Sequence, residues 1–272
     1  MKEPLEDNWH DIISKAARGL EADVMTLAKN HWNEKNALEL FEGTCHPATL
    51  AAMAPALHLD GNALLAITVD DYHPGAIMTP KNFKRFTTSY HGMQVNSYLL
   101  WSEENKNAVA FDTGADVIPL LKTLEQHQLK LNLILLTHGH SDHVCQLENL
   151  IAATGASAWI HQADLVSQAQ PFTFPQTWKL DSAITIEARP TPGHSPGGTT
   201  YIIDSTSPTI AIVGDALFAG SVGGIAPNHY QTGLEAIQKN ILSLPDETIL
   251  GPGHGPLTTV NKEKLNNPFF RR

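Results

Sequence analysis

Four apolar residues, Leu133-Ile134-Leu135-Leu136, run straight into Thr137-His138-Gly139-His140-Ser141-Asp142-His143. A short run with no polar position reads as a strand buried on both faces, which needs covering layers on either side. His138, His140, Asp142 and His143 then stand in the loop at its end, where α/β sheets place their sites. Gly139 and Ser141 are small, so the loop can fold tightly and aim several side chains inward. Imidazole together with carboxylate suits zinc, iron or manganese. A His-rich surface turn would account for an isolated His-x-His. It accounts poorly for His-x-His-x-Asp-His behind an apolar strand.

Three further residues stand in Gly/Pro-rich turns, each after a strand-like stretch. His194 lies in Thr191-Pro192-Gly193-His194-Ser195-Pro196-Gly197, Asp215 in Gly214-Asp215-Ala216-Leu217-Phe218, and His254 in Gly251-Pro252-Gly253-His254-Gly255-Pro256. Singly, each reads as a turn histidine or a capping aspartate. Their joint occurrence, in this order after the first motif, points to one site.

The remaining pattern divides the chain. Residues 1–75 read as a domain of short helices: Ile12, Ile13, Ala16 and Leu20, then Val24, Leu27 and Ala28, then Ala37, Leu38 and Phe41, then Leu50, Met53 and Leu57, then Leu64 and Ile67. A Gly/Pro-rich connection follows. Over residues 83–272 strands are expected at 95–101, 108–111, 133–136, 158–160, 184–186, 200–203, 210–213 and 248–250. Helices are expected at 117–128, 144–153 and 234–242. Mixed sheets covered by helices are the natural packing for that order.

Fourteen histidines are more than a solvated surface needs. Two cysteines, Cys45 and Cys145, cannot make a disulfide framework. No run approaches the roughly 20 apolar residues that span a bilayer, and the first residues have no apolar core of a signal peptide. A cytoplasmic protein with no membrane association is expected. The net charge of −10 argues against nucleic acid as a partner. The 75-residue N-terminal segment loosely resembles a helix-turn-helix domain, but it carries five basic against twelve acidic residues. Phosphate neutralisation is therefore not its task. A packing or dimerisation module, giving a homodimer, or a lid over the substrate cleft is expected instead.

The ordered ligand set, with Phe111-Asp112-Thr113-Gly114 before it and Leu265-Asn266-Asn267-Pro268-Phe269 after it, resembles the metallo-β-lactamase superfamily, and within it the glyoxalase II-like (hydroxyacylglutathione hydrolase-like) branch. The resemblance covers roughly residues 83–270. It implies a four-layer αββα sandwich of α/β (α+β) class with the site between the edges of two sheets. It assigns His138, His140 and His194 to one divalent metal ion and Asp142, His143 and His254 to a second, with Asp215 bridging. Asp142 and Asp215 are the candidate catalytic carboxylates. Zinc is the first expectation for the pair of ions, with iron or manganese as alternatives. Asp112 reads equally as an acceptor that orients the metal loop and as a turn-forming residue. Between two ions a bridging hydroxide is available at neutral pH, because bound water falls from a pKa of about 15.7 towards about 7. Such a hydroxide would attack a thioester or ester carbonyl of a small-molecule substrate. Ser141 and Ser195 read as loop formers.

The chain also departs from that branch. Full-length glyoxalase II enzymes carry a C-terminal helical extension that helps hold glutathione, and no such extension is expected here. Where they often have Cys-Gly-Arg/Lys, this chain has Ser221-Val222-Gly223-Gly224-Ile225-Ala226, with no cation. Two other activities fit the resemblance. One is a mononuclear iron persulfide dioxygenase-like oxidoreductase using His138, His194 and Asp215. The other is a lactonase or a β-lactamase. Among the remaining histidines only His229, with Tyr230, is placed near the cleft. His161 is expected to be incidental, and Cys145 a small buried residue.

Overall fold

The computed structural model describes residues 3–23 and 47–271. The expected helical faces at Val24–Ala28 and Ala37–Phe41, together with His31, Cys45 and His46, lie outside the described residues. Helix α1 (Trp9–Gly19) begins with a reciprocal cap: Asn8 Oδ1 accepts from the His10 and Asp11 amides at 2.8 and 3.2 Å, and Asp11 returns a carboxylate oxygen to the Asn8 amide at 3.0 Å. Its apolar face, Ile12, Ile13, Ala16 and Ala17, packs against Leu50, Met53 and Leu57 around α2 (Pro47–Met53), and against Leu64 and Ile67 of α3 (Gly61–Thr68). Phe269 from the far end of the chain packs on the same cluster.

Two sheets form the body of the molecule. The first holds β1 (Phe83–Tyr90), β2 (Met93–Trp101), β3 (Asn107–Phe111), β4 (Lys130–Leu135), β5 (Ser157–His161) and β6 (Ala169–Phe172), in that order. The first three pair antiparallel and the rest parallel. Alternation sends Tyr98, Leu100, Val109, Phe111 and Leu135 towards the second sheet. Leu99, Trp101, Ala108, Ala110 and Ile134 point the other way, onto α4 (Ile118–Gln126) and the helix that follows β4.

The second sheet runs β7 (Gln176–Lys179), β8 (Thr185–Pro190), β9 (Thr199–Ile203), β10 (Ile210–Gly214), β13 (Ile249–Pro252) and β14 (Thr258–Thr259). A two-stranded hairpin, β11 (Leu217–Phe218) with β12 (Ser221–Val222), stands apart from it. Tyr201, Ile203, Ile210 and Ile212 fill the space between the sheets. Ile202, Ala211, Val213 and Leu250 face Ile237 of α7 (Tyr230–Asn240). Helices thus cover the outer face of each sheet, and the four layers are αββα.

The structure differs from expectation in places that have physical reasons. Strand β1 was not expected, because its outward positions are polar and only Phe83, Phe86 and Thr88 are buried. β6, β7 and α8 (Val260–Asn266) were missed likewise. The expected helix at 144–153 is broken into α5 (Ser141–Val144) and α6 (Leu147–Thr154). The His143 carbonyl accepts from the Thr113 amide and hydroxyl, each at 2.8 Å, instead of continuing a helical ladder. The local backbone serves the loop that carries the ligands. Among the described residues no helix is long and apolar enough to cross a membrane.

Candidate metal centre

Four strand ends supply the site. The loop after β4 brings His138, His140, Asp142 and His143. The turns after β8, β10 and β13 bring His194, Asp215 and His254. All seven converge between the edges of the two sheets. Ligand atoms of His138, His140, His194 and Asp215 lie within 4.8 Å of one another, and so do those of Asp142, His143 and His254. Asp215 joins the two groups: Oδ1 is 3.3 Å from His143 Nε2, and Oδ2 is 3.3 Å from His194 Nε2 and 3.4 Å from His254 Nε2. Asp142 Oδ2 is 3.3 Å from His254 Nε2 and 3.5 Å from His143 Nε2.

Outward contacts set the histidine tautomers. Nδ1 of His143 donates to Asp112 at 2.9 Å, Nδ1 of His194 to the Gly224 carbonyl at 3.0 Å, and Nδ1 of His254 to the Gln94 carbonyl at 2.6 Å. Nδ1 of His138 lies 3.0 Å from the Thr137 hydroxyl, which itself donates to Asp112 at 2.8 Å. In four histidines Nδ1 is therefore engaged away from the centre, and Nε2 points into it, where a metal would displace any proton it carries. His140 turns the other nitrogen inward, with Nδ1 3.0 Å from His138 Nε2 and 2.9 Å from His194 Nε2.

This arrangement fits cations and fits little else. Three imidazole nitrogens face one another, two of them with their protons committed elsewhere. His143 Nε2 and Asp215 Oδ1 are buried and face each other at 3.3 Å without a well-formed hydrogen bond, an arrangement that a metal between them would satisfy better. Gly253 admits the close packing, because a Cβ there would lie 2.0 Å from Asp215 Oδ1 and 2.6 Å from His143 Cε1.

Charges in the metal-free centre are strongly displaced. Burial opposes a charge on His143, but the facing Asp215 and Asp112 carboxylates outweigh it and push its pKa up to about 10. Burial likewise works against His254, yet its bonds to Asp142 and Asp215 push it up to about 11. Burial, then the neighbouring His143, holds His138 well below its usual range. Asp215 is held well below the usual carboxylate range, because His143 and the other imidazoles overcome its desolvation.

Several contributors went unremarked in the sequence. Asp112 does both things expected of it: it adopts a turn conformation with φ 56°, and it orients the loop through the Thr137 amide at 2.7 Å, the Thr137 hydroxyl and His143. Thr137, inside the motif but given no role, links Asp112 to His138. Asn96 is fully buried and braces the last turn, donating to the Pro252 and Gly255 carbonyls at 3.0 and 2.9 Å. Nothing in its sequence surroundings marks it. His229 lines a cavity of about 330 Å³ beside His194, with Pro192, Pro196, Ala226 and Thr232. Tyr230 turns elsewhere, against Gly19. Cys145 corrects an expectation: it is exposed, not buried, and its Sγ lies 3.5 Å from the Gly114 carbonyl. His161 stacks on Phe174, with ring centroids 4.7 Å apart.

The profile of the family described as Metallo-beta-lactamase superfamily matches residues 91–254, which hold all seven of these residues. The chain belongs to the metallo-beta-lactamase superfamily. Within the superfamily it falls in the glyoxalase II-like branch. A hydroxyacylglutathione hydrolase GloC of Haemophilus influenzae is 34% identical over 201 residues, spanning 65% of this chain and 93% of that protein. Among superfamily structures, the crystal structure of the BLEG-1 B3 metallo-beta-lactamase aligns with a TM-score of 0.61 at 29% identity, covering 70% of this chain and 100% of that one. TTHA1623, crystallised in a di-iron-bound form, aligns with a TM-score of 0.56 at 29% identity over 68% of this chain and 99% of that one.

Proposed function

We propose that the chain is a dinuclear metal-dependent hydrolase of a small-molecule thioester or ester, of the glyoxalase II-like kind. The observation that carries the reading is the position of Asp215, whose two oxygens lie within 3.3–3.4 Å of histidines from both groups. His138, His140 and His194 would hold one divalent ion and Asp142, His143 and His254 the other, with Asp215 shared. Zinc is the first candidate for both ions, then iron or manganese. When bound, such a pair lowers the pKa of water and polarises a carbonyl oxygen.

The protein's own share is orientation and exclusion. Asp112 and Thr137 hold His138 and His143 rigidly from behind. Gln94 and Gly224 do the same for His254 and His194 through backbone carbonyls. The cavity beside His194, walled by prolines, would take the apolar part of the acyl or leaving group. Ser141 Oγ accepts from Tyr90 at 3.0 Å, and Ser195 Oγ is buried without a base beside it. Neither serine is set up as a nucleophile. A cytoplasmic location, and a packing or dimerising role for residues 1–75, complete the proposal.

The test is turnover of S-lactoylglutathione by the metal-loaded protein, with metal analysis and His138→Ala as control. Hydrolysis that requires two ions and His138 supports the reading. A protein that holds one iron and consumes oxygen with a persulfide would replace it by the dioxygenase reading, which engages only His138, His194 and Asp215 and leaves Asp142, His143 and His254 without a task.

A further inference from the structure

Helix α1 ends against the segment that holds His194 in place. At Gly19 a Cβ would lie 2.1 Å from the Tyr230 ring, so the last turn of the helix is pressed onto the start of α7. One residue earlier the Arg18 guanidinium reaches Gly224, with Nη2 3.4 Å from where a Gly224 Cβ would be. The carbonyl of that same Gly224 accepts from His194 Nδ1 at 3.0 Å. Two residues on, Ala226 lines the cavity beside His194.

The helix that carries this cation is locked. Lys15, one turn earlier, donates to the Val222 carbonyl at 2.8 Å and pairs with the buried Asp7, which accepts from Ser221 Oγ at 2.5 Å. Arg18 itself is exposed, and among the described residues no carboxylate or carbonyl pairs with its guanidinium. The segment 219–226, Ala-Gly-Ser-Val-Gly-Gly-Ile-Ala, offers no charged side chain of its own. In a chain of net charge −10, an exposed guanidinium without a partner among the described residues thus lies beside Gly224, two residues from the lining of the cavity next to His194.

We propose that Arg18 is a specificity-determining residue that holds a carboxylate of the substrate, borne on the part remote from the scissile carbonyl. The proposal rests on the hydrolase reading. A guanidinium and a carboxylate can meet through two parallel hydrogen bonds, which fixes orientation as well as charge. Because the contact is made to a non-reacting group, its loss should appear in KM more than in kcat. The competing role, a cation at a helix C-terminus favoured by the helix dipole, would give no selectivity between charged and neutral ligands.

The probe is 3-(propylthio)propanoate, a thioether that cannot be hydrolysed, set against its neutral methyl ester. Binding to the metal-loaded protein is measured by calorimetry for wild type, Arg18→Gln and Arg18→Lys, with metal content and melting temperature recorded alongside. The expected result is about tenfold tighter binding of the carboxylate by wild type, near the value of one charge-assisted contact. Arg18→Gln should abolish the preference and Arg18→Lys should keep part of it. Equal binding of acid and ester by wild type overturns the proposal, as does a preference that survives in Arg18→Gln. Thioester hydrolysis in the same preparations separates the two readings. Turnover with no Arg18-dependent preference removes only the Arg18 assignment. An Arg18-dependent preference without turnover keeps the anion site and removes the hydrolase.

Discussion

Nδ1 of His143 lies 2.9 Å from Asp112 Oδ2, and both side chains are buried to 1% exposure or less. The same carboxylate holds the Thr137 amide and hydroxyl, so one residue sets the start of the metal loop and the orientation of a histidine near its end. Asp112→Asn would put an amide NH₂ or a single acceptor oxygen where three donors now converge. Metal affinity should fall about 10- to 100-fold, measured by competition with a chromophoric chelator, together with the lower melting temperature that a buried donor facing donors brings. Unchanged affinity would mean that Asp112 is only a turn residue.

The metal-free protein should lose stability as pH rises. His143 and His254 titrate near 10 and 11 in the folded chain, against an ordinary value of 6.5. Raised pKa values mean that the folded state binds these protons more tightly than the unfolded state does. Their contribution is complete below 6.5 and disappears as pH climbs through 10 and 11. Chelator-stripped wild type should therefore show a steeper fall in denaturation midpoint above pH 7 than stripped His143→Gln. Parallel curves for the two proteins would contradict the charge state assigned to His143. Metal uptake must also expel these protons, so it should weaken as pH is lowered.

Gly253→Ala tests the closeness of the two ligand groups. The added carbon would lie 2.0 Å from Asp215 Oδ1, nearer than any real contact, and the neighbours are ligands rather than flexible chain ends. Either Asp215 or the last turn must move. The variant should fold, because the sheets are untouched, but should hold less than half of the wild-type metal by elemental analysis. Full metal content at wild-type affinity would show that the turn yields freely.

How much of this was legible in the sequence depends on where the information lies. The apolar run before His138 and the ligand-bearing turns are local patterns, and the αββα layering follows from strands that alternate on both faces. Strand β1 escaped because an edge strand with a polar outer face lacks that alternation. The break after Val144 escaped because it is caused by Thr113, some thirty residues earlier in the chain. Asn96, the Gln94 and Gly224 carbonyls and Arg18 are placed by tertiary packing alone. A backbone carbonyl carries no residue identity to notice.

The last prediction concerns what ties the N-terminal helices to the sheets. Glu263 is fully buried and its carboxylate accepts four hydrogen bonds: Tyr72 hydroxyl at 2.9 Å, Gly220 amide at 2.9 Å, Thr258 hydroxyl at 2.6 Å and Asn267 amide at 2.9 Å. These come from the end of the N-terminal segment, the β11–β12 hairpin, β14 and α8. Burial pushes its pKa up, but every partner is a donor, an arrangement that suits an acceptor-only group. Glu263→Gln keeps the shape and turns one oxygen into a donor facing donors. The cost of such a buried mismatch is about 1–3 kcal/mol, which in a chain of this size lowers the melting temperature by several degrees. Tyr72→Phe removes a single donor and should cost less. If Glu263→Gln melts with wild type, the four contacts do not hold the N-terminal helices in place, and α1, with Arg18 at its end, is anchored through Asp7, Lys15 and Ser221 instead.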